Sequence, residues 1–183
     1  MNKSKIKVAN EIKHITYDDA INDLVILYEN KNMSYINIKN KHYGNKLLDY
    51  YFFPYRLNTI TKKHITFYEF YFKKLYDEHG NFKTFLKYAE NKYKTYNFVN
   101  IVYDFFRLYY GSVSQFSPLI ASSIYNMFKP TCIIDPCAGW GGRLLGAMVN
   151  DDIKYIGFDT NTNLKKPYKE LINMLNVKDG SLF

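Results

Sequence analysis

The sequence has no pair of adjacent prolines and no long apolar run. Its five prolines all stand singly. No apolar stretch approaches the roughly 20 residues that a membrane-spanning helix needs. The basic N-terminus MNKSKIKVANEIK lacks the apolar segment of a signal peptide. We therefore expect a cytoplasmic protein without a membrane partner.

Cysteine is also scarce, since Cys132 and Cys137 are the only two in the chain. Small secreted domains usually contain more cysteines and pair them, so this low number favours an intracellular protein. Neither cysteine has a histidine within several residues, and the four histidines are scattered along the chain. We therefore predict no metal site.

Apolar residues and positive charge are abundant. Hydrophobic residues make up 47% of the 183 residues and aromatic residues 19%, which excludes a disordered chain and supplies bulky side chains for a core. The formal net charge of +8 suits a polyanionic partner such as DNA, because Lys and Arg neutralise phosphates. A soluble Lys-rich surface without such a partner is the alternative, and charge alone does not separate the two.

Residues 1–115 are predicted to form a helical, basic, aromatic-rich region. Apolar residues recur at helical spacing in residues 17–28, 66–79, 82–92 and 98–109. Residues 30–44 are polar and predict a loop with, at most, an irregular strand near 35–38. Pro54 is expected to prevent an uninterrupted helix through residues 47–59.

Residues 116–183 have a different pattern, which predicts an α/β unit. Pro118 begins a helix that ends before Pro130, and the run TCIIDP is typical of a buried parallel strand. A glycine-rich turn, CAGWGG, then leads into the helix RLLGAMV, the strand IKYIGF and a helix at 163–175. Strand, turn, helix, strand and helix in this order begin a doubly wound parallel sheet.

The turn after the first strand predicts a ligand site. Glycines at 139, 141 and 142 allow the backbone to approach a ligand closely. Asp135 at the strand end would repel a pyrophosphate but attract a cationic ligand. Asp159 follows the second strand, where a carboxylate accepts hydrogen bonds from ribose hydroxyls. S-adenosylmethionine, with its ammonium, sulfonium and ribose groups, satisfies both requirements.

The segments IIDPCAGWGGRLLGAM and YIGFDTN resemble motifs I and II of class I DNA methyltransferases, particularly phage and virus members, which modify an exocyclic amino group of adenine or cytosine. The resemblance implies an incomplete Rossmann-like domain, S-adenosylmethionine as cofactor and DNA as partner. It also includes FSPLIASSIYNMF, whose first residues would line the methionine end of the cofactor. The cofactor residues implied are Phe116, Ser117, Pro118, Asp135, Pro136, Cys137, Ala138, Gly139, Gly141 and Asp159.

The sequence departs from this family in two places. Cys137 replaces a Phe that many relatives have in the turn, which changes packing but not the backbone. The Pro-Pro-aromatic motif, with which these enzymes hold the flipped base, does not occur, so no catalytic residue is assigned. The chain is then either the cofactor-binding part of an enzyme that a second polypeptide completes, or a degenerate relative with a binding or virion structural role. A third alternative is a half-sheet that its own helices cover, which binds cofactor without catalysis.

Trp140 and Arg143 each have two interpretations. Trp140 either covers an adenine or packs on the helix that follows. Arg143 either contacts phosphate or pairs with Asp151 or Asp159. Packing and ion-pair roles are favoured for both residues.

Overall fold

The computed structural model describes residues 1–37, 40–75, 80–92, 97–150 and 152–175. These residues form a mostly helical α/β protein with a small two-stranded parallel sheet. Contacts group the chain into two compact units. Unit 1 comprises Met1–His14 and Pro54–Ser114, and unit 2 comprises Ile15–Phe53 and Gln115–Phe183. The segment Ile15–Phe53 falls within the predicted helical region 1–115, yet by contacts it groups with the C-terminal α/β residues.

The elements follow one another along the chain. They are α1 (Lys3–Ile12), α2 (Tyr17–Glu29), α3 (Asn45–Leu57), α4 (Phe67–Glu69), α5 (Asn81–Lys92), α6 (Phe98–Tyr109), α7 (Pro118–Phe128), β1 (Cys132–Asp135), α8 (Gly142–Met148), β2 (Lys154–Gly157) and α9 (Lys165–Met174). Short 3₁₀ turns lie at Tyr35–Asn37 and Thr162–Leu164, and a π-helical turn, Phe70–Lys74, continues α4.

Aromatic packing forms the core of unit 1. Helix α6 buries Val102, Phe105 and Phe106 on one face. Phe67 and Phe70 each lie 5.4 Å from the Phe106 ring, between ring centroids. Such tilted and edge-on pairs stabilise a core beyond the area that they bury.

A capping box begins α4. The Thr66 hydroxyl accepts a hydrogen bond from the Glu69 N–H, and the Glu69 carboxylate accepts one from the Thr66 N–H at 2.9 Å. Two backbone donors without helical partners are satisfied in this way.

A buried carboxylate organises the helical part of unit 2. Asp23 of α2 is 7% exposed and accepts hydrogen bonds from the N–H groups of Lys46 and Leu47, at 2.7 and 3.3 Å. These N–H groups belong to the first turn of α3, where helical partners are missing. Asp23 therefore fixes the beginning of α3 from another helix.

The two strands of unit 2 run parallel, with Ile133 opposite Tyr155 and Asp135 opposite Gly157. Both strands were predicted, and α8 forms in the chain between them. A connection of this kind is required because parallel strands cannot be joined by a tight turn. The expectation that β1 is buried is wrong, because Ile134 is 69% exposed and Asp135 is the one buried residue of the strand.

Three sequence-based details differ from the structure. Helix α3 continues through Pro54, so the expected interruption is wrong. Pro54 leaves α3 without the one hydrogen bond that its N–H would donate to the Tyr50 carbonyl, and burial of Phe52 and Phe53 offsets this loss. The predicted helix 66–79 changes to a π-helical turn at Phe70, and residues 76–79 lie outside the described residues. The stretch near 35–38 forms a 3₁₀ turn rather than a strand, with residue 38 outside the description.

Among the helices that the structure describes, none combines the length and the apolar character that crossing a bilayer requires.

Candidate functional site

The candidate site lies where the two parallel strands end. Strand β1 ends at Asp135, and Asp159 comes two residues after the end of β2. Backbone hydrogen bonds extend the pairing into the turns, because the Phe158 N–H donates to the Asp135 carbonyl and the Ala138 N–H donates to the Phe158 carbonyl, both at 2.8 Å. The glycine turn and Asp159 are thereby held side by side at one edge of the sheet.

The Asp135 carboxylate is enclosed by donors. Its Oδ1 accepts from the Cys137 N–H at 3.1 Å and from Arg143 Nη2 at 3.2 Å, and its Oδ2 accepts from Arg143 Nε at 2.6 Å and from the Tyr155 hydroxyl. A carboxylate offers about four acceptor positions, and these four donors use them. Asp135 is 6% exposed. Its carboxylate therefore organises the turn from within and has no acceptor position left for a ligand.

The charge state of Asp135 follows from the same contacts. Burial alone would raise the pKa of Asp135, but the hydrogen bonds from Arg143, Tyr155 and the Cys137 N–H outweigh burial and lower the pKa below its ordinary value. The carboxylate is ionised at neutral pH and is unsuited to act as a general base.

Arg143 joins three parts of the site. Besides the ion pair with Asp135, its Nη2 donates to the Cys137 carbonyl, and its guanidinium lies 5.5 Å from the centre of the Phe116 ring. A cation over an aromatic face is attracted to the ring. The favoured interpretation as an ion-pair residue is confirmed, although the partner is Asp135 rather than Asp159, and Asp151 lies outside the described residues.

Asp159 ties the second strand to the glycine turn. Its Oδ2 accepts from the Gly139 N–H at 2.7 Å, and its Oδ1 accepts from the Asn161 N–H at 2.8 Å. The side chain is half-buried. Each oxygen uses one acceptor position for these bonds, so one position on each remains for hydroxyl donors of a ligand.

Gly139 has the backbone conformation and the open surroundings of a ligand-contacting residue. Its φ of +61° lies in the left-handed region, and an added Cβ would meet only the Cys137 carbonyl, at 3.7 Å. Space beside this residue is therefore open for a ligand.

Packing requires a glycine at positions 141 and 142, and Gly141 also shares the left-handed conformation of Gly139, with φ at +78°. A Cβ on Gly141 would lie 3.2 Å from the Phe52 ring, and one on Gly142 would lie 2.0 Å from the Phe116 carbonyl oxygen. Because neither residue has a side chain, the beginning of α8 packs closely against Phe52 and Phe116. Of the glycines in the turn, Gly139 is thus the one whose exposure suits a cofactor.

The segment that leads into α7 lies beside the glycine turn, because the Phe116 carbonyl is next to Gly142. This position is compatible with its predicted place in the cofactor site. Phe116 is 41% exposed and stacks with Arg143. Ser117 is the N-cap of α7, and its hydroxyl also donates to the Lys41 carbonyl at 2.6 Å. Pro118 is buried in the first turn of that helix. Only Phe116 of these three has a largely accessible side chain.

The other residues assigned to the turn differ in exposure. Pro136 and Cys137 are exposed, Ala138 is buried and Trp140 is half-buried. Cys132 and Cys137 are both unpaired thiols. No group of three or more possible metal ligands occurs within the described ranges.

Two tyrosines of the site were missed in the sequence. The Tyr168 hydroxyl donates to the Gly139 carbonyl at 3.0 Å, so α9 also holds the glycine turn. Burial raises the pKa of Tyr155 and Tyr168 well above the ordinary tyrosine value. Strand alternation could have indicated Tyr155, because Ile133 opposite it shares a face with Asp135. No local pattern indicates Tyr168.

An apolar groove adjoins the site through Phe116. The groove has a volume of about 860 Å³, and its apolar lining includes Met33, Ile120, Ile124, Met127 and Phe128. Phe128 and Met127 are 71% and 68% exposed, and Ile134 of β1 is 69% exposed. Large contiguous apolar surface of this kind is typical of an interface.

Comparison with protein-family models finds no match for this chain, and comparison with curated proteins and with solved structures finds no significant match.

Proposed function

We propose that unit 2 binds S-adenosylmethionine as the N-terminal part of a class I DNA methyltransferase domain. The observation that carries this proposal is the meeting of Asp159 and the Gly139 turn at the ends of two parallel strands. Ligands of open α/β sheets bind at this edge. The order of strand, turn, helix and strand supports the proposal of an incomplete Rossmann-like unit.

The residues present fit the cofactor in a defined way. The remaining acceptor positions of Asp159 suit the two ribose hydroxyls, and the open side of Gly139 allows the amino-acid part of the cofactor to pass close to the backbone. Phe116 adds an accessible aromatic surface beside Arg143. Asp135 contributes to cofactor binding indirectly, because the four hydrogen bonds that its carboxylate accepts stabilise the conformation of the glycine turn.

Isothermal titration calorimetry tests this proposal. We expect the chain to bind S-adenosylmethionine and Asp159→Ala to weaken binding by about 1–3 kcal/mol, the cost of losing a buried hydrogen-bonding group. Glu170→Ala is the matched control, since Glu170 is an exposed acid of the same unit, 3.9 Å from Lys166. It should leave affinity unchanged. Absence of heat and of a thermal shift at saturating ligand would refute cofactor binding.

Methyl transfer is proposed to require a second polypeptide. When bound, the cofactor would supply an electrophilic methyl group: the exocyclic amino nitrogen of the base would bond to the methyl carbon as the carbon–sulfur bond breaks, S-adenosylhomocysteine would leave with that electron pair, and the nitrogen would release one proton to solvent. Protein groups contribute positioning and electrostatics. In the family that the sequence resembles, the Pro-Pro-aromatic motif positions the base, and this chain contains no Pro-Pro pair.

The exposed apolar groove and Ile134 support a partner that continues the sheet and supplies that motif. Incorporation of a tritiated methyl group into DNA tests this step. The purified chain alone should transfer no label, and addition of the partner should restore transfer. Robust methylation by the chain alone would refute the partner requirement while leaving cofactor binding intact.

A degenerate, non-catalytic relative with a binding or virion structural role is the second candidate. The observation that favours it is the engagement of all four Asp135 acceptor positions by protein donors, which leaves the turn stable without a cationic ligand. Failure to bind S-adenosylmethionine, together with stoichiometric recovery of the chain from a purified particle, would establish this alternative.

A further inference from the structure

The whole formal net charge of the protein resides in unit 1. The sequence of unit 1 contains 14 Lys and Arg against 6 Asp and Glu, whereas unit 2 contains 11 of each. The excess of eight positive charges in unit 1 equals the net charge of the chain. Unit 1 therefore carries the electrostatic field that attracts polyanions.

Three acids in the described part of unit 1 are already engaged. Glu11 lies 4.0 Å from Lys7, Asp104 lies 3.7 Å from Arg107, and Glu69 caps its own helix. Exposed pairs such as these bring little stability. Lys62, Lys63, Lys73, Lys74, Lys83 and Lys87 are exposed in the described part of this unit.

Two arginines line one recess of unit 1, and two lysines follow a residue of its lining along the chain. We call Arg56, Lys62, Lys63 and Arg107 the cationic cluster. Arg56 and Arg107 line the recess, and its polar lining also includes Thr59, Thr61 and Ser112. Lys62 and Lys63 follow Thr61 directly along the chain and are exposed.

A tight turn fixes the two lysines. Thr61 donates both its N–H and its hydroxyl to the Ile65 carbonyl at 3.0 Å, and its hydroxyl accepts from the Lys63 N–H at 3.3 Å. His64 takes a left-handed conformation, with φ at +55°. The Lys63 ammonium then lies 5.0 Å from the centre of the Tyr110 ring. The turn is therefore a defined structure that presents adjacent cations beside the recess.

The chemistry of this recess matches a phosphodiester backbone. Guanidinium groups bind phosphate oxygens in pairs, and lysines and hydroxyls add further contacts. The rings of Tyr103 and Tyr110 hold two of these cations in place, since Arg107 lies 5.6 Å from the centre of the Tyr103 ring and Lys63 lies 5.0 Å from the centre of the Tyr110 ring.

An anionic membrane is a poorer match. Insertion into lipid requires accessible apolar side chains next to the cations. The apolar residues that line the recess are instead buried, with Leu57, Phe67 and Phe106 at 4%, 1% and 4% exposure.

We propose that unit 1 binds the phosphate backbone of nucleic acid through the cationic cluster. The proposal takes nucleic acid as partner from the proposed function and adds the surface that contacts it. It requires no cofactor, so the two proposals can fail separately.

The chain offers a matched pair of variants for the test. Lys62→Gln/Lys63→Gln removes two adjacent exposed lysines from the cationic cluster, and Lys165→Gln/Lys166→Gln removes two adjacent exposed lysines from α9 of unit 2. Both variants change the net charge equally. Because all four side chains are exposed, both variants should retain the far-ultraviolet circular dichroism of the parent.

Fluorescence anisotropy of a labelled DNA duplex, with the full chain and without cofactor, provides the measurement. We expect the cationic-cluster variant to bind about tenfold more weakly and to reduce the slope of log affinity against log salt by about two, one for each phosphate that is no longer neutralised. The unit 2 variant should change affinity less than about twofold, the scale of nonspecific charge effects.

Two outcomes would overturn the inference. Equal losses in both variants would show that overall charge, rather than the cationic cluster, attracts DNA. Unchanged DNA binding by the cationic-cluster variant, together with lost binding to phosphatidylserine vesicles, would assign this surface to membranes.

Discussion

The two units are stabilised by different kinds of interaction. Unit 1 combines its positive charge with an aromatic core, and Thr66 is the one buried polar or charged residue found in its described part. Unit 2 is electrically neutral and buries Asp23, Asp49, Ser122, Ser123 and Asp135. Aromatic cores tolerate exchange of side chains of similar volume, whereas a hydrogen-bonded polar network fits one geometry. The difference identifies unit 2 as the part with a fixed site and unit 1 as the part with a charged surface.

The largest expected effect comes from breaking the polar network of unit 2. Asp135→Asn removes the charge that pairs with Arg143 and should lower the free energy of unfolding of unit 2 by about 3 kcal/mol. We choose the low end of the range for buried pairs because the Arg143 side chain is 32% exposed and solvent screens it. Urea denaturation followed by Trp140 fluorescence measures this change, since the only tryptophan lies in unit 2.

Asp104→Asn is the matched variant in unit 1. It breaks an aspartate–arginine pair whose side chains are 31% and 52% exposed. Exposed pairs of this kind contribute less than about 1 kcal/mol. Losses of similar size in both variants would remove the distinction between the units.

High pH should destabilise unit 2. Tyr155 and Tyr168 are 5% and 0% exposed, and burial raises the pKa of both hydroxyls. A group whose folded pKa is raised contributes full stability below its unfolded pKa, about 10 for tyrosine, and loses this contribution as pH rises toward the folded pKa. At pH 11 each tyrosine should therefore cost about 1.4 kcal/mol.

Between pH 8 and pH 11, Tyr155 and Tyr168 together should lower the free energy of unfolding of unit 2, measured by Trp140 fluorescence, by about 3 kcal/mol. Tyr51 and Tyr125, whose pKa burial raises to about 12, should add to this fall. Tyr155→Phe should reduce the total fall by about 1.4 kcal/mol, because it removes one of these four ionisable groups. A fall of the same size in this variant would show that Tyr155 does not couple ionisation to folding.

Much of the fold was predictable because its signals are local. Helix α6 was predicted with the bounds that the structure has, and the parallel strands β1 and β2 follow from short β-branched runs on either side of a helix. Pro54 misled the prediction because the loss of one backbone hydrogen bond can be offset by the burial of neighbouring side chains, which the local sequence does not reveal. The first helix, Lys3–Ile12, was not predicted, since its apolar residues are few.

The candidate site was predictable in position but not in detail. The order of turn and strand placed Asp135, Gly139 and Asp159 at one edge of the sheet. The partners of Asp135 depend on how far Arg143 and Tyr155 reach in three dimensions, which sequence spacing does not encode. The sequence also does not show whether a glycine is required at position 142 for close packing or for the approach of a ligand, because both requirements give the same residue.

Replacement of a glycine in each unit tests the same comparison between the units, with a smaller expected change in the free energy of unfolding. Gly142→Ala would bring a Cβ to 2.0 Å from the Phe116 carbonyl oxygen, a backbone atom that cannot move without displacing the start of α7. We expect a loss of about 2 kcal/mol in the free energy of unfolding of unit 2, from overpacking partly offset by the better helix propensity of alanine.

Gly80→Ala in unit 1 is the control, because a Cβ there meets no atom within 4 Å. That variant should change stability by less than about 0.5 kcal/mol, because the poorer N-capping by alanine and its restriction of the unfolded chain have opposite effects of similar size. Urea denaturation followed by circular dichroism at 222 nm measures both variants, and a Gly142→Ala protein as stable as the parent would show that the segment before α7 can yield and that this glycine is required for ligand approach instead.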